Sequence, residues 1–516
     1  MTGLSEYEKL RAARIAENRK FFEEVGLAKV KSELLRDAHA ARAKRASSRG
    51  LAGARTSKRR KAAAKPRVAT RRSSRIKGIA ADDVYVMNEG RGGKIEIGGQ
   101  PSTMHELQKL RENSAEWDEK KRKKDTRLPD GPLTLESTGG TEEYGEAFLE
   151  SLRSLVSKEG QKDAGASTVP SEDILAYSEK LSKLSMSENS VAKVCPDRIY
   201  SITTFPSDAL LVAAGDKSGN LGLWSVDDDS EASEGTDGVV LYKPHASTIN
   251  RLVFDPRSSS KLFSFSYDGS VRCMDIVKGV FDQTFTLPAN DDDGNVWLQH
   301  GTVAQDGVLY VGDSSGRLFA SDPRKGSGPK SIVHQFYAHD KKVQTVDVHG
   351  FYLATASLDR SVKLFDARKF GGKKSKPLFT SPDSRSVNCA YFSRNGHHLL
   401  TVAMSNRLCV INDPFTKSGL TIPDHEIKHD NRTGRYLPVF HACWDPANDH
   451  TFVVGSMCRP RQVEVYSADG GTLKRIMVLQ DPDYLNSVQS RNTFHSHGGT
   501  KGIVCGNASG RVHVFR

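Results

Sequence analysis

Arg71, Arg72 and Arg75 stand in the run RRSSRIK, a short way after the tetrapeptide Lys58-Arg59-Arg60-Lys61. Guanidinium groups at this density point to the binding of a polyanion. They can lie along a phosphate backbone or enter a minor groove, and each phosphate they neutralise releases condensed counterions. Between Ala38 and Ala80 there are fifteen basic residues and no acidic one, so the local field has a single sign. Lys58 to Lys61 reads as a nuclear-import patch, and the basic run is longer than import alone requires. The opposite charge collects between Asp227 and Asp237, with six acidic residues and no basic one; it reads as a solvated loop that faces away from nucleic acid.

Signatures of catalysis fail on inspection. Gly312-Asp313-Ser314-Ser315-Gly316 has the residues of a serine nucleophile turn, but equivalents recur at Asp216-Lys217-Ser218-Gly219 and Asn507-Ala508-Ser509-Gly510, as tight turns of a repeat do. His397-His398 and His495-Ser496-His497 lack carboxylate or thiol companions at ligand spacing. No phosphate-cradling Gly-Lys-Ser/Thr loop and no paired acid and base stand out. The expectation is a protein that is not an enzyme, with no cofactor and no metal. The seven cysteines all lie from Cys195 onward, mostly inside apolar runs, and read as small buried hydrophobes of a reducing compartment. No eighteen-residue apolar stretch exists, so no membrane span is expected.

The elements that would position these residues fall into four parts. Residues 1–27 are rich in helix formers with a small apolar cluster at Phe21, Phe22, Val25 and Leu27, which predicts a short helical motif. Residues 28–80 form a basic arm with almost nothing to bury, predicted to be disordered when alone. Residues 81–189 read as a polar linker with local helices, one of them at Glu143 to Val156. From residue 190 the texture changes to short β-rich runs divided by turn signals.

That last region is a repeat. An Asp- or Asn-containing turn followed by an alternating strand recurs at Gly215, Ser266, Gly312, Ser357, Ala403, Gly455 and Gly506. The turn residues Asp216, Asp268, Asp313 and Asp359 are 52, 45 and 46 residues apart, close to the length of a four-stranded propeller blade. His245 and His339 stand upstream of two turns, before the runs Thr248 to Phe254 and Val343 to Val346. The unit resembles the WD40 repeat over residues 190–516, and the fold class expected is all-β: a seven-bladed propeller preceded by a long, largely disordered basic region with short helices. The chain ends at Arg511 to Arg516, the third strand of the seventh blade. Ser190 to Cys195, just before the first inner strand Ile199 to Thr204, can supply the missing outer strand and close the ring.

The order of blade features is similar to that of the small subunit of the UV-damaged-DNA-binding complex. The resemblance runs through Asn295-Val296-Trp297, His339 to Arg368, Val387 to Ser393, Leu437-Pro438 and Ala442 to Pro446. YEKLRAARIAENRKFFEEVGL and RRSSRIKG resemble fungal DNA-damage-binding WD-repeat proteins of the changed-mutation-rate family. The resemblance implies a nuclear protein that binds damaged or distorted duplex DNA on one propeller face, with single-stranded DNA as a further ligand. By position it places a wedge hairpin at Asp430 to Pro438, where Gly434-Arg435-Tyr436 replaces the family's Phe-Gln-His; Tyr436 would stack on an opened base step and Arg435 reach phosphate or a base edge. Arg198, Lys217 and Lys342 would contact phosphates. The pairs Asp322 with Arg324 and Asp366 with Arg368 resemble the box by which related propellers dock on a cullin-4 ubiquitin ligase, although Phe365 stands where a Trp is usual. The competing reading is a protein-interaction scaffold, a ligase adaptor or a platform for histones and chromatin factors, with the arm used only for import.

Overall fold

A computed structural model describes residues 128–139, 143–159, 174–227, 238–288, 296–326, 328–370, 375–469, 471–497 and 499–516, and the backbone of the strand pair Glu96–Ile97 and Gln100–Pro101. The helical motif of residues 1–27, the basic arm with Arg71, Arg72 and Arg75, and the acidic insertion beyond Asp227 lie outside the described residues.

Seven antiparallel sheets follow one another from residue 191 to the end. Blade 1 is Ile199–Thr204, Leu211–Asp216, Leu221–Ser225 and Val239–Tyr242. Blade 2 runs from Ile249–Asp255 to Val280–Thr286, blade 3 from Leu298–Val303 to Ile332–Tyr337, and blade 4 from Val343–His349 to Phe379–Pro382. Blade 5 runs from Val387–Phe392 to His425–Lys428, and blade 6 from Cys443–Asp445 to Lys474–Gln480. Blade 7 is Gln489–Ser496, Thr500–Asn507 and Arg511–Phe515, completed by Val191–Lys193 from the start of the ring. Arg511 pairs with Lys193, Val512 with Ala192 and His513 with Val191. The outer strand expected from the sequence is therefore the one used, and both ends of the propeller are tied into one sheet.

Between blades the core is built from β-branched and aromatic side chains of alternating strand positions. Phe265, Phe285 and Phe319 are fully buried between blades 2 and 3. Two blades carry a fifth strand: Leu133–Thr134 pairs with Val280 and Phe281, and Gly419–Leu420 pairs in parallel with Phe379 and Thr380. Two helices from the segment read as a linker also join the propeller. Helix Glu143–Glu159 buries Tyr144, Phe148 and Leu152, spaced four apart on one face, against Phe205, Leu223, Met274 and Ile276 of blades 1 and 2. Helix Ile174–Ser182 buries Tyr177 and Leu181 against Val463, Leu485 and Phe494, and the Tyr177 hydroxyl donates to Asp445 at 2.5 Å. Six of the cysteines are buried or partly buried, but Cys458 is exposed. It lies in the turn of blade 6 rather than in a strand, so it does not fit the uniformly buried reading.

His245 and His339 each knit a blade together. His339 shares hydrogen bonds with Asp359 at 2.8 Å, Thr355 at 2.8 Å and Ser361 at 3.2 Å; His245 does the same with Asp268, Ser264 and Ser270. Burial pushes the Asp359 and Asp268 carboxyls up, but the imidazole and serine donors outweigh it and hold both well below the usual carboxylate range. Burial also lowers the His339 pKa.

Two predictions follow from this packing. Ala192→Pro removes a backbone donor from the closing strand, and should lower the unfolding free energy by roughly 1–3 kcal/mol, read as a lower calorimetric midpoint. For His339, Asp268 and Asp359 the folded pKa lies below the unfolded one, so the unfolded chain binds more protons and stability is lost as pH falls. The decline begins below the ordinary His value of 6.5 as His339 is protonated in the unfolded chain, and continues as pH falls through the Asp value of 3.8 toward the folded pKa values. Asp359→Asn should cost roughly 1–3 kcal/mol at neutral pH and flatten the acid limb of a denaturant titration.

Candidate nucleic-acid interface

In each blade the inner strand begins at the same end of the ring, because it always follows the outer strand of the preceding blade. The turn between the second and third strands lies at that end as well. Arg198 precedes the inner strand of blade 1, Lys217 occupies its second turn, and the backbone N–H of Lys217 donates to the Arg198 carbonyl at 2.9 Å. Lys342 precedes the inner strand of blade 4, and Arg435 and Tyr436 lie in the connection from blade 5 to blade 6. All five residues singled out in the propeller for DNA contact thus leave one end of the ring.

Their settings differ. Lys217, Arg435 and Tyr436 are exposed, the Tyr436 ring to 71%. Lys342 is half-buried and its ammonium lies 5.8 Å from the centre of the Trp297 ring; burial lowers its pKa below the ordinary lysine value. Such a contact holds a cation in place without a carboxylate partner. Trp297 in turn lies 6.4 Å from Tyr267, in the second turn of blade 2, and the Trp297 Nε1–H donates to Gln299 at 2.9 Å. This aromatic pair beside a lysine is a stacking surface the sequence reading did not single out. Its signal was an aromatic residue standing directly before an inner strand.

The segment Asp430 to Pro438, expected as a hairpin, is a loop with a turn at Gly434 to Tyr436 and no strand pairing. The reason is in its base. Asn431 is fully buried, and its side-chain amide donates to the Ala403 and Arg407 carbonyls at 2.8 and 3.1 Å, while its oxygen meets His429 at 2.7 Å. Side-chain anchoring replaces a ladder. Gly434, at φ 72°, turns the chain so that Arg435 and Tyr436 form the tip.

Further cations share this end. Arg385 and Arg432 lie in inter-blade connections, and Arg459 and Arg461 in the second turn of blade 6. Arg360 is the most telling. In the corresponding turns Gly219, Gly269, Gly316 and Gly510 take positive φ, whereas blade 4 places Arg360 there at φ 74°. A side chain in this left-handed region costs on the order of 1 kcal/mol relative to glycine.

A family model described as "WD domain, G-beta repeat" matches residues 330–366, from the outer strand of blade 3 to the third strand of blade 4. A Xenopus laevis protein named WD repeat-containing protein 76 is 34% identical over 402 residues, covering 75% of this chain and 64% of its own length. Its Mus musculus counterpart is 33% identical over 399 residues, with 75% and 60% covered. A Phaeosphaeria nodorum protein named DNA damage-binding protein CMR1 is 29% identical over 378 residues, 66% of this chain and 70% of that one. These likenesses support reading the chain as a CMR1-like WD-repeat protein. It spans under two thirds of the length of the two vertebrate relatives.

In this propeller the residues expected to dock a partner lie at the other end. Asp322 and Asp366 close the third strands of blades 3 and 4 and accept from the Arg324 and Arg368 side chains through two oxygens each, at 2.8 to 3.0 Å. Both arginines are more than half exposed. Arg368 also covers the exposed Phe351, 4.9 Å from the ring centre. The strands flanking the acidic insertion, Leu221–Ser225 and Val239–Tyr242, turn at this same end.

Arg360→Gly separates stability from binding. Relief of the left-handed strain should raise stability by up to about 1 kcal/mol in denaturant melts. Loss of the cation should weaken DNA retention in a salt-dependent way.

Proposed function

We propose that the chain is a nuclear, non-catalytic DNA-binding protein whose propeller takes duplex DNA on the end that carries Arg198, Lys217, Lys342, Arg360, Arg435 and Tyr436, and prefers UV-damaged or otherwise distorted sites. The observation that carries the reading is the convergence of these loops, drawn from blades 1, 4 and 5, on one end of the ring. The names of the fungal relatives, DNA damage-binding protein, support it. The cations position the backbone, and sequence plays little part in the contact. A distorted site already carries part of the cost of unstacking, so an aromatic tip inserts there more cheaply than in intact duplex. The basic run from Ala38 to Ala80 adds sequence-independent affinity, serves single-stranded DNA equally well, and Lys58 to Lys61 directs import.

The scaffold reading rests on the opposite end, where Arg324 and Arg368 are presented by their own aspartates beside Phe351. It is compatible with DNA binding because the two ends do not compete.

The test compares the full chain with Lys217→Ala, Lys342→Ala and Tyr436→Ala on matched intact and UV-irradiated duplexes at two salt concentrations. Each lysine variant should weaken both duplexes and reduce the salt slope by about one. Tyr436→Ala should lose the preference for the irradiated duplex with little loss of general affinity. Variants indistinguishable from the parent on both duplexes would leave the scaffold reading in possession.

A further inference from the structure

The axis of the ring holds a cavity of about 340 Å³ lined from blades 1, 2 and 4 to 7. Arg251 and Arg491 both line it, each two residues into the inner strand of its blade. Arg491 is buried, and its Nε and one terminal nitrogen donate to the carbonyls of Tyr200, Val439 and Ser490. The Arg251 guanidinium lies 5.4 Å from the centre of the Tyr391 ring, and its Nε is buried without a hydrogen-bond partner.

The charges around them do not balance. Asp347 is the one carboxylate among the described lining residues, and one of its oxygens accepts from the Phe392 N–H at 2.9 Å. Burial pushes its carboxyl up, against the pull of Arg251. His300 and His441, joined through the Tyr391 hydroxyl at 3.3 and 3.1 Å, are held well below 6.5 by burial and by both arginines. They add no positive charge, yet they show that the two guanidinium fields overlap. A lysine so placed would shed its proton. Arginine cannot, and an isolated buried cation is costly unless an opposite charge reaches it.

We propose that this axial cavity is a binding site for a compact phosphate-class anion, gripped between Arg251 and Arg491. The Arg251 fork suits a tetrahedral oxyanion, Arg491, fixed by its carbonyl bonds, adds its charge, and the cavity admits a free oligophosphate or a terminal phosphate group while a duplex stays outside on the rim. The site stands apart from the proposed DNA face, since its groups lie within the ring.

The experiment follows the thermal midpoint of the full chain in tripolyphosphate against chloride at equal ionic strength, with a 5′-phosphorylated single strand as a second probe. Binding to the folded state alone should raise the parent's midpoint as ligand is added. Arg251→Gln should abolish the shift, and Arg491→Lys, which keeps the charge but loses the carbonyl bonds that fix its place, should weaken binding by about tenfold. Lys342→Ala should keep the tripolyphosphate shift, which separates this site from the DNA face. A shift with the phosphorylated strand alone, lost in Arg251→Gln, would assign the phosphate to a strand end and overturn the free-anion source. No shift with either probe, or the same shift in parent and Arg251→Gln, overturns the proposal; because Arg251→Gln removes no carbonyl-bonded donor, that conclusion does not depend on whether an Arg491 variant folds.

Discussion

The pairing of Val191–Lys193 with Arg511–His513 is the constraint on which the rest of the molecule depends. A propeller blade buries its faces against its neighbours, so an open ring would leave two blades half-solvated and one sheet edge unpaired. Borrowing the outer strand of blade 7 from the front of the ring solves both problems at once. Within the closed ring, each inner strand follows the outer strand of the preceding blade and so starts at the same end. Residues as distant in sequence as Arg198 and Tyr436 then share a surface although nothing links them directly.

Much of this was legible in the sequence because turns of the WD40 kind are chemically demanding. An Asp or Asn that caps its own turn, a positive-φ residue and an alternating strand recur in most units at blade spacing. The docked helices were harder to read. Tyr144, Phe148 and Leu152 are diluted by charged neighbours, and only contact with Phe205 and Met274 turns their spacing into a buried stripe. At the candidate site, the positions of Lys342 and Tyr436 were legible through the family resemblance. The axial arginines could not be found that way. Arg251 and Arg491 sit inside strand runs where a buried position and a solvent-facing one look alike until blades from across the ring are brought together.

The cations singled out at the two ends of the ring are held in different ways. At the end with the Asp-x-Arg elements, each guanidinium is paired with an aspartate two residues away, an arrangement of small stabilising value at the surface that fixes the direction of the side chain. At the other end, Lys342 is steadied by an indole face and Arg360 is held in a strained backbone position, while Arg435 stands at an exposed tip. Cations paired in advance present a defined shape; cations left without close carboxylates retain their full attraction for a polyanion. The fold separates these two uses by the length of a strand.

In the proposed function the loop from Asp430 to Pro438 would present such a tip. Insertion of a side chain between bases is opposed by the entropy lost when a floppy loop is ordered, and that loss subtracts directly from affinity. Here the ordering is done in the folded protein, since Asn431 is clamped to two carbonyls of blade 5 and to His429. Gly434, Arg435 and Tyr436 at the turn are exposed. A single aromatic ring on a preorganised base can therefore replace a longer wedge, because what limits insertion is the freedom of the loop as much as the area of the side chains it carries.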